Sequence, residues 1–211
     1  MQNAYELKPD SYALHEGSGL QIENAVESVA VNLLRMAVTE LPRDVKEALQ
    51  RAYKGEESES GRTQLKAILD NVELAEKTRT PMCQDTGVII FYVKAGARAR
   101  GLDKVERALL NAAKRATKDV PLRPNAVDPF TQKNTGDNTG RFIPFINWEI
   151  VSGDDIEITA FPKGGGSENA SVLGMITPGE DMAGLKRFVV DAVVRAGAAP
   201  CPPTILGIGI G

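Results

Sequence analysis

The nine residues VIIFYVKAG at 88–96 limit the possible folds more than any other stretch. β-branched and aromatic side chains crowd together there in a run too short for a buried helix, which fits a strand covered by other structure. The cover is written on both sides of it. Ile22, Val26, Val29, Leu33 and Met36 recur at helical spacing over 19–36, and Val45, Leu49 and Ala52 mark a second helix opened by Pro42. Leu65, Ile68, Leu69, Val72 and Ala75 predict a third. It ends before Thr80-Pro81, because the residue preceding a proline is pushed out of the helical region. GEESESG, at 55–61, reads as a solvated loop between these helices. Beyond the strand, Val105, Leu109, Ala112, Ala113 and Ala116 restore a helix.

Residues 121–140 hold three prolines among Asn, Asp, Thr and Gly, a loop long enough to expect a function of it. Two strands follow, 142–151 and 156–161, joined by Ser152-Gly153-Asp154-Asp155, whose chemistry suits a hairpin turn. A glycine-rich loop at 163–169, a helix over 180–196 and a short strand TILGIGIG complete the order. The expected fold is α+β, a helix-rich N-terminal part packed on a mixed β-sheet. It is read as one domain over 1–211, and because it stops inside an apolar, glycine-alternating strand, we expect a longer natural chain.

At 211 residues, folding buries roughly 70% of the surface of the unfolded chain, so no disulfides are needed. Lys and Arg number 25 against 28 Asp and Glu, a net charge of −3 that argues against nucleic acid as a partner. A small anion must then be held by local charges. No basic-then-apolar leader opens the sequence, and no stretch approaches the ~18 apolar residues of a membrane span, so a cytoplasmic protein is expected. The two cysteines, Cys83 and Cys201, are then free thiols: either small core residues or metal ligands.

Their surroundings leave both readings open. Cys83 is followed by an amide, a carboxylate, a hydroxyl and a glycine in TPMCQDTG, 80–87. Buried without partners, such groups cost on the order of 1 to 3 kcal/mol each, so the turn is either solvent-lined or organised around a ligand. Pro200, Pro202 and Pro203 fix the backbone around Cys201, which suits a ligand and also an ordinary proline-rich loop. Arg123 stands between Pro121 and Pro124, its fork preorganised for a carboxylate. Gly164, Gly165 and Gly166 let backbone amides approach an anion. His15, the sole histidine, gets no role.

Taken together, TPMCQDTG, PLRPNAVDP, PKGGGSENAS and CPPTILGIGIG resemble the class I fumarase family, which includes the L-tartrate dehydratases and their two-subunit forms. The resemblance covers roughly residues 10 to 211. It implies an iron-sulfur hydro-lyase, with fumarate and L-malate as the first-choice substrates and L-tartrate as the alternative. A [4Fe-4S] cluster would be held by Cys83, Cys201 and a third cysteine that is not in this chain. Gln84 and Asp85 would touch the substrate, Asp85 also taking part in proton transfer. Arg123 would pair with a substrate carboxylate, and the backbone near Gly166 would contact the substrate. The same resemblance assigns the third cysteine and a site histidine to sequence further along. It places further arginines, a lysine and a threonine base in a C-terminal domain or β subunit, and so implies a homo- or hetero-oligomer. Two other classes remain open. Gly207-x-Gly209-x-Gly211 after a strand could begin a dinucleotide fingerprint, and a noncatalytic metal- or anion-binding scaffold would need only the cysteines.

Overall fold

The structure, a computed structural model, describes residues 19–201 and 204–211, so His15 lies outside the described residues. The chain forms two compact units, Met1–Pro162 and Lys163–Gly211. In the first, α1 (Gly19–Thr39), α2 (Arg43–Gly55) and α3 (Glu59–Thr78) precede β1 (Val88–Gly96). Then come α4 (Leu102–Asp119), β2 (Phe145–Val151) and β3 (Ile156–Lys163), the last ending on the first residue of the second unit. The expected α+β class is what forms. The 55–61 loop is shorter than expected, because Ser58 caps α3 by accepting from the Gly61 amide and draws Glu59 into the helix.

The alternation of β1 decides the core. Ile89, Phe91, Val93 and Ala95 all turn to one face and are buried there. Val26, Ala30, Val31, Leu34 and Val38 of α1 pack onto them, together with Val105, Ala108, Leu109, Ala112, Ala113 and Ala116 of α4. Four alanines on α4 let that helix come close, and each larger apolar side chain so buried contributes about 1.5–3 kcal/mol. The rim of this layer is ionic. Arg107 lays its fork on the Glu23 carboxylate, Nε donating to Oε1 at 2.6 Å and Nη2 donating to Oε2, which ties α4 to α1.

β2 is parallel to β1, with Ile90 opposite Phe145 and Gly96 opposite Val151, so α4 is the crossover of a β-α-β unit. The strand order is β2-β1-β3. This corrects the hairpin expected at 152–155: β2 and β3 do not pair with each other, because β1 lies between them. The four-residue connection passes over the end of β1 and bonds to it. The amides of Gly96, Ala97 and Arg98 donate to Asp155 O, Val151 O and Gly153 O at 2.8, 2.8 and 2.9 Å. A side chain at Gly96 would strike the Gly153 backbone, so glycine is what admits the crossing. β3 then returns along the other edge of β1, giving a mixed sheet.

In the second unit the glycine-rich segment forms a short helix, α5 (Gly165–Asn169), rather than a loop. A 3-10 turn at Pro178–Glu180 leads into α6 (Asp181–Ala196). The Glu180 carboxylate accepts from the Thr177 amide at 3.0 Å and its hydroxyl at 2.9 Å, closing that entry. TILGIGIG is not a strand. Residues 204–211 have no regular structure, and Ile205, Leu206, Ile208 and Ile210 are exposed. A strand exists through its ladder, and among the described residues none pairs with this segment. Among the described residues no helix is long and apolar enough to cross a membrane.

Arg107 holds the Glu23 carboxyl below its ordinary value of 4.5. A depressed carboxylate stabilises the fold above its unfolded pKa, and that contribution is lost as pH falls through the folded value. Glu23→Gln therefore lowers the urea unfolding midpoint near neutral pH. The gap to the parent closes as pH falls well below 4.5, which parallel urea titrations across pH measure.

Candidate functional site

The turn carrying Cys83 is held from two sides by backbone bonds. The Met82 amide donates to Val38 O, near the end of α1, at 2.9 Å. Asn71 Nδ2, on α3, donates to Met82 O at 2.7 Å. Helix α3 stops at Arg79, whose φ of +56° breaks the helical path just before Thr80-Pro81. Cys83 and Gln84 are exposed, whereas Thr86 and Gly87 are buried as the chain enters β1. A shallow depression of ≈ 250 Å³ lies beside the turn, between Asn71, Leu74, Ala75, Thr78, Thr80 and Pro81. Cys83, Gln84 and Asp85 do not line it.

The structure brings this turn against the loop that leaves α4. Arg123 N donates to Thr86 Oγ1 at 2.9 Å. Asn125 Nδ2 donates to Asp85 Oδ1 at 3.1 Å and to Gly87 O at 3.2 Å, and the Gly87 amide donates to the same Asp85 oxygen at 3.2 Å. One carboxylate oxygen is thus oriented by a side-chain amide and a backbone amide. The turn that carries Gln84 and Asp85 and the loop that carries Arg123, all singled out in the sequence, thus meet at one edge of the first unit. The Arg123 guanidinium is exposed, and no hydrogen bond or ion pair reaches it among the described residues. A planar fork with five donors and a fixed backbone suits a carboxylate.

Thr86 and Asn125, which join the turn to the loop, stand inside the quoted motifs without being singled out there. Each bonds across about forty positions of sequence, a pairing that local spacing does not reveal. Of the two acids in this loop, Asp128 is structural. Backbone and hydroxyl donation from Thr131, then the Phe130 amide, hold the Asp128 carboxyl below its ordinary value, and its oxygen closes a turn.

The second unit carries Gly166 and Cys201, and it sets Gly166 against Ala199, two residues before Cys201. A Cβ at Gly166 would come within 2.6 Å of Ala199 O, so glycine lets α5 lie against the turn that ends in Cys201. The Cys201 amide donates to Ala198 O at 3.1 Å. Its φ of +59° is unusual for a residue with a side chain and costs on the order of 1 kcal/mol or more. Both thiols are unpaired and exposed. Among the described residues no three of His, Cys, Asp and Glu are grouped to hold a metal ion.

The family model for Fumarate hydratase (Fumerase) matches residues 27–211. This chain belongs to that family. Within the fumarate hydratase family, it is similar to the "Putative L(+)-tartrate dehydratase subunit alpha" of Methanocaldococcus jannaschii. That protein is 47% identical over 190 residues, 88% of this chain and 67% of the relative. L(+)-tartrate dehydratase subunit alpha of Escherichia coli strain UTI89 is 35% identical over 198 residues, and that of strain K12 is 34% identical. Both alignments cover 93% of this chain and 65% of the relative. The chain thus spans about two thirds of the length of the curated relatives it matches. The dinucleotide reading has lost its preceding strand, since 204–211 is irregular.

Replacing Thr86 by valine keeps its shape and leaves the Arg123 amide without its acceptor. We expect a loss of about 1–2 kcal/mol by urea unfolding, and Thr86→Ser is expected to retain most of the stability.

Proposed function

We propose that this chain is the substrate-gripping, cluster-holding part of a hydro-lyase that removes water from a hydroxylated dicarboxylate. The observation that carries this reading is the joined edge of the first unit, where an exposed, backbone-clamped Arg123 stands with Asp85 and Gln84. L-tartrate is the preferred substrate, because the similar proteins described above are named L(+)-tartrate dehydratase subunit alpha. Malate and fumarate form the second reading, favoured by the family description.

Loss of water from either acid needs two events on neighbouring carbons. A C–H bond gives its proton to a base, and the adjacent C–O bond breaks as the hydroxyl leaves with a proton as water. Malate yields the alkene fumarate, and tartrate yields an enol that tautomerises to an oxo acid. Arg123 holds one carboxylate in bidentate fashion and sets the orientation of the carbons. Gln84 donates its amide to a substrate oxygen, Asp85 holds or moves a proton at its carboxylate, and the backbone at Gly166 contributes amide donors.

The donor set suits an iron-sulfur group. Thiolates are what such clusters take, and Cys83 and Cys201 are both exposed, unpaired and fixed by neighbouring backbone bonds. We assign each as a ligand of a [4Fe-4S] cluster, with the third thiolate supplied by sequence that is not in this chain. When bound, the cluster supplies an open iron site that acts as a Lewis acid toward the leaving hydroxyl. A β subunit or C-terminal domain supplies the remaining acid-base groups, and a cytoplasmic, reducing setting keeps the thiols available.

The test is anaerobic iron-sulfide reconstitution of the full-length gene product with its partner, followed by turnover assays on L-tartrate and L-malate. We expect cluster absorption, turnover of L-tartrate above that of malate, and loss of both cluster and activity in Cys83→Ser and Cys201→Ser. Full activity in Cys83→Ser, or no cluster in the parent, overturns the proposal.

A further inference from the structure

Asn138 is 2% exposed, buried at the far end of the long loop, and sits at a left-handed φ of +57° that asparagine tolerates. Its amide is fully used. Oδ1 accepts from the Asn125 amide at 2.7 Å, and Nδ2 donates to Arg123 O and to Thr117 Oγ1, each at 3.1 Å. One side chain thus grips the backbone on both sides of Pro124, which has no amide of its own to offer. Thr117 is the seat. Its hydroxyl lies 2.8 Å from Ala113 O and 3.1 Å from Asp137 O, which fixes it to the last turns of α4.

Arg123 is therefore clamped at both backbone groups by buried side chains, its N–H by Thr86 and its C=O by Asn138, while its guanidinium points to no protein partner among the described residues. Stability alone does not require this. Leu122 and Ala126 are buried and already anchor the loop by apolar contact. The buried amide adds direction, since hydrogen bonds to named backbone atoms set an orientation that apolar contact leaves loose.

We propose that Asn138, seated on Thr117, is the positioning residue that aims Arg123 at a substrate carboxylate. This rests on the reading of Arg123 as the carboxylate-binding group. Asn138→Asp is nearly isosteric and keeps the acceptor facing the Asn125 amide. It turns the donor facing Arg123 O into an acceptor, a clash the carbonyl cannot relieve, whereas the Thr117 hydroxyl can rotate.

The experiment uses the reconstituted full-length protein with its partner subunit and two readouts. One is the KM and kcat for L-tartrate and malate. The other is the Kd by calorimetry for succinate, a dicarboxylate with no hydroxyl to lose. Asn138→Asp is expected to raise KM and the succinate Kd roughly tenfold, with kcat changed by less than about threefold and cluster absorption unchanged. In an Arg123→Ala background it is expected to add nothing, because the two act on one interaction. A full, additive effect in that background overturns the proposal. So does an unchanged succinate Kd in Asn138→Asp while Arg123→Ala weakens binding, an outcome that spares the reading of Arg123. Unchanged binding in Arg123→Ala sinks both. If Asn138→Asp fails to fold, Thr117→Val decides: a rise in Kd in the same direction upholds the clamp, and unchanged affinity overturns it.

Discussion

Everything in the first unit depends on burying one face of β1 beneath α1 and α4. Phe91 and Leu109 are fully buried in this layer, and the alanines at 108, 112, 113 and 116 bring α4 down onto the strand. Helix α4 then runs back along β1 before β2 starts in parallel beside it. The turn before β1 and the loop before β2 must therefore meet at the same end of the sheet. That is why Thr86 reaches Arg123 and Asn125 reaches Asp85. In open α/β sheets ligands commonly gather at the carboxyl ends of parallel strands. Here the polar groups collect at the amino ends, because both long polar segments precede their strands.

Within this edge, buried and exposed side chains divide the work. Thr86 and Asn138 are buried and spend their hydrogen bonds on the backbone of the loop, while Cys83, Gln84 and Arg123 are exposed on that fixed backbone. The backbone of this arginine has already lost its freedom during folding, while the side chain keeps its own. The second unit repeats the device in another form. Gly166 gives up a side chain so that α5 can lie against the Ala199 turn, and Cys201 takes a strained φ at the end of that turn.

The strand at 88–96 and the helices over 19–39, 43–55, 59–78, 102–119 and 181–196 were legible because each repeats a period of 2 or 3.6 residues within its own window. The motifs were legible because their residue types are chemically unusual side by side, as Cys83, Gln84 and Asp85 are. Two expectations failed where a pairing partner had to be chosen. Ser152-Gly153-Asp154-Asp155 has the same turn chemistry whether it joins adjacent strands or passes over a third. TILGIGIG has the composition of a strand but no ladder among the described residues.

By itself, then, the sequence determined the long helices, the strand at 88–96 and the α+β class, because propensity and periodicity act between near neighbours. Tertiary structure alone decided that β1 separates β2 from β3. It alone decided that Asp85 meets Asn125, and that Arg123 is gripped by Thr86 and Asn138. Those contacts join residues up to forty positions apart, and their selection depends on which buried donors and acceptors are left to satisfy once the core has closed.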